Sequence, residues 1–544
     1  MSSMASGLGT TRSSLPGFVI AGLTACAFLA VAAQLVRLAV LAPAGVRIQA
    51  AEPLVVSFTR PDIVDRKGRL LATDLQAFSL YADPTLVIDV DDAAEKLTAV
   101  FPEMPAAELR GQLADRTRRF IWLRRGLSPG LAQRVHDLGI PGVSFRPEPR
   151  RTYPQGRLAG HVLGGVSIDN RGLAGLERHI DDALGLESGL SGELQRPPVV
   201  LTLDIGVQHG LEEELALALA HYRASGVAGV ILDVGSGEIL AAASLPDVDP
   251  ARPGEALDAD RIDRLQVATY ELGSVLKAFT VAMALNAGLV RPDTVLDVRA
   301  PLQAGRYLIR DLHPSGRPLT VREIFIQSSN VGAGLIAQAA GVEKMRAFLT
   351  RAGLAEPMRS EVGAISAPRL PQRWGEAELI TVAYGHGLAV APLQFAAAAA
   401  ALVNGGLRVR PTYVRSMPGV VAPVSAPARV VSAETSAAMR DLMRRAVTQP
   451  NGTGRRADVA GFEVGGKTGT AEMADPAGYR AKSVVASFLA AFPISAPRHL
   501  LLVTLIEPKP GADTNGQITA GVNAAPVAGR IIARTGHLLS MIAR

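Results

Sequence analysis

A long apolar run near the amino terminus is the first feature in the pattern of hydrophobic and polar positions. Residues 17–36 form 20 positions without a charged side chain, about the length that an α-helix needs to cross a bilayer. A cleaved signal peptide is the rival interpretation, but its apolar core is normally shorter, roughly 7–15 residues. We therefore favour an uncleaved membrane helix. Arg12 before the run and Arg37 and Arg47 after it leave the orientation open.

The pattern changes near residue 196, where strands and helices become regular. The predicted elements are a strand at 199–203, an amphipathic helix carrying Val207, Leu211, Leu215 and Leu219, a hairpin at 227–234 and 238–244, a helix from Ser274 to Leu285 that stops at Gly288, strands at 483–492 and 500–506, and a closing helix at 526–539. Strands early and late with helices between them favour an α+β domain, in which the terminal segments share one antiparallel sheet.

The segment between the apolar run and residue 196 is mixed and rich in turns. We find no nucleophile paired with a base in it and interpret it as an elongated pedestal, a structural or partner-binding module. The predicted organisation is therefore a tail at 1–16, a membrane helix at 17–39, a pedestal at 40–195 and a catalytic domain at 196–544.

Composition limits the class of protein. Hydrophobic residues make up 48% of the chain and charged residues 19%, which excludes a disordered chain and a polytopic membrane protein. The single cysteine, Cys26, excludes an internal disulfide and a cysteine-based zinc site. The nine histidines show no metal-ligand spacing. We expect neither a metal nor a cofactor.

The formal net charge is +6, and the densest basic cluster alternates arginines with aromatic residues. Such a surface could bind nucleic acid or anionic lipid. A solvated face with two buried aromatics is the simpler interpretation, which we favour, so we expect no nucleic-acid partner. The cluster comprises Arg116, Arg118, Arg119, Arg124 and Arg125, with Phe120 and Trp122.

Three short motifs in the second half carry residue types that suit acyl transfer. They are Ser274-Val-Leu-Lys277, Ser328-Ser-Asn330, and Lys467-Thr468-Gly469 followed by Thr470. Each motif alone is weak evidence, because serine and asparagine often cap helices and turns and a serine and lysine can simply share a helix surface. Together, in this order, they are strong evidence, because each supplies a different part of one site.

The first motif can place a base beside a nucleophile. Side chains at positions i and i+3 of a helix share a face, so the Lys277 amine can reach the Ser274 hydroxyl and take its proton. The amine must then be neutral, and moving its pKa from about 10.4 to near 7 costs about 4 kcal/mol. Burial and a nearby cation both act in that direction, and Lys467 is the candidate cation. The Ser274 backbone N–H, at a helix start, can face a developing oxyanion.

A second serine lies in a G-x-S-x-G pattern, Gly126-Leu-Ser128-Pro129-Gly130, which is typical of the nucleophile elbow of α/β-hydrolases. That elbow uses the N–H of the residue after the serine as an oxyanion-hole donor. Proline has no N–H, so Pro129 excludes this role. We predict a surface turn instead.

The three motifs together resemble those of the penicillin-binding proteins and serine β-lactamases, which share the S-x-x-K, S-x-N and K-T-G set. The chain looks most like the class B penicillin-binding proteins, which are monofunctional peptidoglycan transpeptidases. The resemblance extends over the pedestal. Its matches there are the run from Arg60 to Gly68, with Pro61 and Lys67 as departures, and an R-x-Y-P segment at Arg151, Tyr153 and Pro154 with His161.

Two details refine the resemblance. The class usually has proline before the Gly-Ser pair, where this chain has Leu272; the change removes no catalytic atom. The sequences of the Ser328-Ser329-Asn330 motif and of residues 270–273 resemble those of the septal, FtsI-type enzymes rather than those of the elongation type. The resemblance therefore implies a D,D-transpeptidase of the division septum.

The resemblance also implies a role for each motif residue. Ser274 attacks the penultimate D-Ala carbonyl of a stem peptide and Lys277 accepts its proton, while Ser328 relays a proton to the departing D-Ala with help from Lys467. Asn330 binds the substrate amide and also holds Lys277 in place. The terminal carboxylate region is bound by Thr468, Gly469 and Thr470, and the oxyanion hole is formed by the backbone N–H groups of Ser274 and Thr470. β-Lactams mimic the D-Ala-D-Ala end and trap Ser274 as an ester.

That substrate lies outside the cytoplasmic membrane, which implies an inner-membrane protein with its amino terminus inside and its catalytic domain in the periplasm. The implied partners are the stem peptides, a multi-span glycosyltransferase of the FtsW type and other division proteins. Three alternatives stay open: an elongation-type transpeptidase, a D,D-carboxypeptidase or β-lactamase, and a non-catalytic β-lactam sensor or division scaffold.

Overall fold

The chain forms two structural units, residues 1–57 and 58–544. The computed structural model describes residues 15–40, 60–186, 196–420, 427–475 and 478–542. Most of the predicted tail lies outside the described residues, as do residues 41–59 and 187–195 of the predicted pedestal.

Helix α1 (Leu15–Val40) is the described part of the first unit. It covers the predicted membrane segment, and apolar side chains such as Leu23 and Phe28 are exposed on it. Among the described residues, no helix combines the length and the apolarity that crossing a membrane requires. The membrane segment therefore stays a prediction.

The pedestal is built on a sheet with small helices packed beside it. Its elements are β1 (Ile63–Val64), β2 (Leu70–Ala82), α2 (Val90–Val100), α3 (Ala106–Ala114), β3 (Ile121–Leu127), α4 (Pro129–His136), β4 (Val143–Thr152), α5 (Gly160–Leu163), β5 (Gly165–Val166), β6 (Gly172–Ala174) and α6 (Gly175–Leu184). Strand β2 pairs with β1, β3 and β4, antiparallel in each case. Ser128, the serine of the G-x-S-x-G pattern, is the N-cap residue of α4.

The basic cluster lies on this pedestal and is largely ion-paired. Arg124 contacts Glu103 at 3.1 Å and Arg125 contacts Glu148 at 3.0 Å. Phe120 stacks on Tyr81 with a ring-centroid distance of 4.9 Å but is 43% exposed. The expectation of two buried aromatics is therefore wrong: Trp122 is only half-buried, and stacking on a half-buried neighbour leaves the other face of Phe120 in solvent.

A buried ion cluster ties the start of the pedestal to α6. The Glu177 carboxylate accepts from Arg151 Nε at 2.6 Å and from Arg60 Nε at 2.9 Å. Arg60 also pairs with Asp181, and Arg151 pairs with Asp74 at 3.3 Å. The side chains of Arg151 and Glu177 are fully buried. The Glu177 carboxylate thus joins two buried guanidinium groups, each of which also pairs with a second carboxylate.

Glu177→Ala is expected to lower the free energy of unfolding of the pedestal by about 3–5 kcal/mol, the usual cost of removing one member of a buried ion pair, because the Nε groups of Arg60 and Arg151 lose their shared acceptor. Trp122 lies in the pedestal and the only other tryptophan is Trp374. Urea titration followed by fluorescence in a Trp374→Phe background therefore reports pedestal unfolding.

The control is Arg110→Ala, since Arg110 pairs with Asp91 on the pedestal surface, where that partner is 82% exposed. Exposed pairs contribute little, so its urea midpoint is expected to match that of the parent. An equal midpoint for Glu177→Ala and Arg110→Ala would contradict the assigned importance of the cluster.

The second domain follows. Its elements are β7 (Val199–Leu201), α7 (Ile205–His221), β8 (Gly226–Asp233), β9 (Ile239–Leu245), β10 (Tyr270–Glu271), α8 (Lys277–Asn286), β11 (Val295–Leu296), β12 (Leu302–Ala304), β13 (Tyr307–Ile309), β14 (Leu319–Thr320), α9 (Val321–Gln327), α10 (Asn330–Ala340), α11 (Val342–Ala352), β15 (Arg359–Ser360), β16 (Gly363–Ala364), α12 (Glu376–Ala383), β17 (Ala389–Val390), α13 (Pro392–Ala400), β18 (Val414–Ser416), α14 (Ala433–Thr448), β19 (Gly465–Asp475), β20 (Gly478–Phe492), β21 (His499–Ile506) and α15 (Ala524–Ile542). Strand β7 pairs with β1 of the pedestal, so one sheet joins the two domains.

The central sheet of the second domain has the order β19-β20-β21-β8-β9, and all four pairings are antiparallel. The predicted sheet shared by early and late strands is therefore confirmed. The predicted hairpin is β8 and β9, and the predicted late strands are β20 and β21.

Helices cover both faces of this sheet, as the alternation along β21 shows. Leu500 and Leu502 belong to one buried cluster together with Phe279 of α8. Leu501 and Val503 belong to another, with residues of α7 and α15. Successive side chains of a strand point to opposite faces, so each face receives every second residue. The sheet is thus held between two helical layers, and its edge strand β19 carries the Lys467 motif.

Candidate active site

The three sequence motifs meet in one cleft beside the edge strand β19. The cleft has a volume of about 970 Å³, and its lining includes Ser274, Ser328, Asn330, Thr468 and Thr470. These residues come from three separate parts of the chain. The fold therefore brings the predicted nucleophile and the two later motifs to one place.

Ser274 lies in a short 3₁₀ turn, Gly273–Leu276, and α8 begins directly after it at Lys277. The predicted helix from Ser274 to Leu285 is therefore wrong at its start, since the first turn is tighter than an α-helix. Ser274 is half-buried and faces the cleft, whereas Lys277 is 1% exposed. The turn thus keeps the hydroxyl accessible while the following helix buries the amine.

The Lys277 ammonium group is surrounded by oxygen atoms of the second motif. Its Nζ donates to Asn330 Oδ1 at 2.7 Å, to the Ser328 carbonyl at 2.5 Å and to Ser328 Oγ at 3.2 Å. Burial, and secondly the charge of Lys467, hold the pKa of Lys277 well below its usual value, while Asp311 acts in the opposite direction. Burial favours the neutral amine, and a neutral amine can act as a base.

Lys467 contacts the Ser328 hydroxyl as well. Its Nζ donates to Ser328 Oγ at 2.9 Å and to the Thr468 carbonyl at 3.0 Å. The side chain is completely buried, and burial lowers the pKa of Lys467 to about 7. Ser328 Oγ therefore bridges two buried amines, both with a lowered pKa.

Ser328 owes its position to an unusual backbone conformation. It ends α9 with a φ of +63°, in the left-handed region, and Ser329 then caps α10 by accepting from the Gly332 N–H at 2.9 Å. This sharp junction between two helices turns both the carbonyl and the hydroxyl of Ser328 toward Lys277.

Asp311 is a supporting residue that the sequence motifs do not reveal. Its carboxylate accepts from Ser329 Oγ at 2.6 Å and from the Val331 N–H at 3.0 Å, and it also accepts from the Asn330 N–H. A carboxylate at the amino terminus of a helix is stabilised by the free N–H groups there. Asp311 thus fixes the start of α10 and with it Asn330. No spacing rule links it to that helix, because it lies in a loop well before the motif.

The third motif presents its threonines to the cleft with one hydrogen bond each already made. Thr468 Oγ1 bonds to Thr453 Oγ1 at 2.7 Å, and Thr470 Oγ1 accepts from the Ala520 N–H at 3.0 Å. Because Thr470 is an acceptor in that bond, its own hydroxyl proton can point elsewhere. Thr453 and Ala520 belong to loops that the motif analysis missed.

The strand and the nucleophile turn touch through their backbones. A Cβ atom on Gly469 would lie 2.3 Å from the Leu272 carbonyl, and one on Gly385 would lie 1.9 Å from the Gly273 carbonyl. Gly385 also has a φ of +100°, which other residues rarely adopt. Glycine at both positions lets two segments pack directly on the turn that carries Ser274.

Among the described residues, no group of three or more histidine, cysteine, aspartate or glutamate side chains could hold a metal ion. The cleft instead offers one hydroxyl nucleophile, two buried amines and a set of hydroxyl donors. This set of side chains suits acyl transfer through a covalent ester.

Two family models match the chain. The penicillin-binding protein transpeptidase domain matches residues 227–533 and the penicillin-binding protein dimerisation domain matches residues 56–191. The two matches correspond to the catalytic domain and the pedestal.

Similar proteins include the probable peptidoglycan D,D-transpeptidase FtsI of Caulobacter vibrioides, 38% identical over 89% of this chain and 82% of that protein. The peptidoglycan D,D-transpeptidase FtsI of Escherichia coli K12 is 30% identical over 87% of this chain and 83% of its own. Among solved structures, penicillin-binding protein 3 of Mycobacterium tuberculosis with aztreonam has a TM-score of 0.69 and 26% identity, covering 90% of this chain and 97% of the other. The chain belongs to the penicillin-binding proteins, in the family of the FtsI-type peptidoglycan D,D-transpeptidases.

Proposed function

We propose that the chain cross-links peptidoglycan stem peptides as a D,D-transpeptidase, through an acyl-enzyme on Ser274. The observation that carries the proposal is the convergence of Lys277 and Lys467 on Ser328 Oγ, at 3.2 and 2.9 Å, in the cleft that Ser274 lines. The base and the proton relay are then in contact, in the cleft that the nucleophile lines. The similarity to proteins named peptidoglycan D,D-transpeptidases supports the same function.

The donor half of the reaction uses both amines. Ser274 Oγ attacks the carbonyl of the penultimate D-Ala while neutral Lys277 accepts its proton. Ser328, hydrogen-bonded to both lysines, passes a proton to the departing D-Ala amine. Proton transfer by a positioned group of this kind contributes typically 10²–10⁴-fold to a rate. An amine of a second stem peptide then takes the acyl group and forms the cross-link.

The substrate-binding roles follow from the hydroxyl groups and charges of the cleft. Thr468 and Thr470, on either side of Gly469, hold the terminal carboxylate of the donor, with Lys467 as countercharge. Asn330 binds the substrate amide through its side chain, which also accepts from Lys277. The backbone N–H groups of Ser274 and Thr470 stabilise the oxyanion, since donors fixed in advance cost no reorganisation.

The test supplies a synthetic peptide ending in D-Ala-D-Ala and a primary amine to the full-length protein in detergent. The expected products are free D-Ala and the peptide amide, and mass mapping after a fluorescent penicillin is expected to place the label on Ser274. Free acid as the only product would favour a carboxypeptidase, and rapid release of the penicillin would favour a β-lactamase. Absence of labelling in the wild type would contradict an acyl-enzyme mechanism.

Gly385→Ala is expected to lower the rate of penicillin acylation about 100-fold. The added Cβ must displace the backbone of the Ser274 turn, and a misplacement of about 1 Å can cost 10²-fold in rate. Stopped reactions with fluorescent penicillin measure this rate.

Gly461→Ala is the matched control, because Gly461 has a φ of +85° and nothing lies within 4 Å of its Cβ position. It carries similar backbone strain without the contact. We expect it to acylate like the wild type, and equal losses in both variants would refute the packing explanation.

The proposed site of action is the division septum. The support is the FtsI name of several similar proteins and the Ser328-Ser329-Asn330 spelling of the second motif. A functional fluorescent fusion in dividing cells is expected to concentrate at the division plane. Uniform labelling of the side wall would favour the elongation role instead.

The proposed topology has a tail at 1–16, a membrane anchor at 17–39, a periplasmic pedestal at 40–195 and a periplasmic transpeptidase domain at 196–544. The uncharged run within α1 and its exposed apolar side chains support the anchor. Because the proposed substrate lies outside the cytoplasmic membrane, the catalytic domain must lie there too, which places the amino terminus in the cytoplasm. An FtsW-type glycosyltransferase in the same membrane is the proposed partner. Protease treatment of spheroplasts is expected to digest the pedestal and the catalytic domain, and their protection would contradict this topology.

A further inference from the structure

His386 lines the same cleft as Ser274 but matches none of the three motifs. It lies in a Gly385-His386-Gly387 turn between α12 and β17. Both glycines have positive φ angles, +100° and +79°. The turn is thus built on conformations that only glycine adopts easily, and it presents a single titratable side chain to the reaction site.

The turn is fixed to the nucleophile segment on both sides. After it, Ala389 of β17 pairs with Glu271 of β10, three residues before Ser274. Within it, the Gly387 N–H donates to Glu271 Oε1 at 2.8 Å. The His386 N–H donates to the Thr381 carbonyl at 3.0 Å. His386 and Ser274 therefore keep a constant relation, since both are attached to the same short strand pair.

The charges that act on the His386 ring are the carboxylates of Glu271 and Glu472 and the amine of Lys277. The Glu271 Oε2 atom lies 3.9 Å from His386 Nδ1, the Tyr384 ring lies 5.3 Å away, and Glu472 lines the same cleft. Burial lowers the pKa of His386; the charges of Glu271 and Glu472 raise it and Lys277 lowers it further. The imidazole is therefore neutral at neutral pH, with carboxylates beside it that stabilise a proton once it arrives.

The second half of the proposed reaction, in which an acceptor amine attacks the Ser274 ester, needs a neutral group that can take up a proton. An aliphatic amine is an ammonium ion at neutral pH, and its lone pair becomes available only after a proton leaves. Two protons must leave the acceptor ammonium group, and Lys277 carries the one that restores the Ser274 hydroxyl, so the other proton needs a second acceptor. We propose that His386 is a catalytic residue of the acceptor half, which removes the proton from the incoming ammonium group; this inference rests on the proposed transpeptidase function.

The step balances as follows. The acceptor ammonium gives one proton to the His386 imidazole and becomes an amine. Its lone pair forms a C–N bond with the acyl carbonyl of the Ser274 ester, and the C–Oγ bond breaks. The second amine proton passes through Lys277 to Ser274 Oγ, which restores the hydroxyl. The imidazolium, held beside Glu271, then returns its proton to solvent.

The test compares wild type with His386→Gln, which keeps the side chain neutral and polar. The donor is an N-acyl-D-alanyl thiolester and the amine is D-alanine at fixed total concentration, with the full-length protein in detergent. Aminolysis at pH 7 is expected to fall about 100-fold in the variant, at the lower end of the usual range for a lost general base. Acylation by fluorescent penicillin is expected to stay within 2-fold.

The pH profile supplies a readout that a structural role would not move. With His386 as the base, wild-type aminolysis changes little between pH 7 and pH 9, because the ammonium form is the reactant. In His386→Gln only amine already free in solution reacts, so the rate rises about 10-fold per pH unit and approaches wild type at pH 9. Parallel profiles in the two proteins would overturn the proposal.

Two further variants keep the outcome interpretable. His209→Gln changes another histidine–carboxylate pair, with Nε2 3.4 Å from Glu213 Oε2 on the exposed surface of α7, and is expected to leave aminolysis unchanged. His386→Tyr keeps an aromatic ring beside Tyr384 and repeats the test should His386→Gln not fold. Loss of penicillin acylation in folded variants would overturn the acceptor role. Failure of the wild type to acylate would instead refute the transpeptidase function itself.

Discussion

Ser274→Ala is expected to abolish labelling by fluorescent penicillin and to reduce peptide cross-linking to background. Alanine has no atom that can form the ester, so loss of the covalent adduct is complete. Removing the nucleophile of a serine hydrolase costs on the order of 10⁶-fold in kcat, and we expect a comparable loss of transpeptidation. In-gel fluorescence and chromatography of the cross-linked peptides measure the two effects.

The stability of this variant separates chemistry from folding. Ser274 is half-buried and lines the cleft. Its thermal midpoint is therefore expected to equal or exceed that of the wild type, since active-site polarity often costs stability. Labelling that persists in Ser274→Ala would move the nucleophile elsewhere and remove the basis of the mechanism.

The regular parts of the fold follow from local patterns. The hairpin at β8 and β9 could be predicted from two apolar runs around a Gly-Ser-Gly turn, and β21 from a segment that is apolar except for Thr504. Both are confirmed, because a strand covered on both faces needs apolar residues throughout. The shared antiparallel sheet could be predicted from the order of the elements, with strands early and late and helices between them.

Only the active-site residues that belong to the three sequence motifs could be predicted from the sequence. The spacing of Ser274 and Lys277 is a local property, so their proximity is visible in the sequence. Asp311 and Thr453 act through contacts between distant loops, which no periodicity records. His386 gives a weak signal, a histidine between two glycines, and its relation to Glu271 appears only when β10 and β17 pair.

The start of α8 shows how tertiary packing overrides a helix pattern. The segment from Ser274 onward has helical spacing, yet its first turn is a 3₁₀ turn. Gly469 and Gly385 bring two backbones against this turn, and the tighter winding accommodates them. Local propensity is a weak prior where such contacts decide.

Lys277→Met is expected to lower the rate of penicillin acylation about 10³-fold, in the middle of the range for loss of a general base. Methionine keeps the length and apolar stem of the side chain but cannot take the Ser274 proton. Because a buried amine is replaced by an apolar group, the protein is expected to remain folded, which circular dichroism and a thermal midpoint check.

Lys277→Arg distinguishes a base from a mere positive charge. A guanidinium group stays charged in proteins, with a pKa above 12, so it preserves the cation and removes the base. We expect it to be as inactive as Lys277→Met. Near-normal acylation by the arginine variant would show that Lys277 serves by its charge, and the proposed proton transfer would then have no acceptor.

The pH dependence of acylation tests the same amine without replacing it. Only neutral Lys277 accepts a proton, so the acylation rate is expected to fall as pH drops through its pKa and to level off above it. The Lys467 charge helps to lower the pKa of Lys277, so Lys467→Met removes a cation and shifts the falling limb to higher pH. A limb at the same pH in wild type and Lys467→Met would mean that the two amines do not sense each other, although both lie within 3.2 Å of Ser328 Oγ.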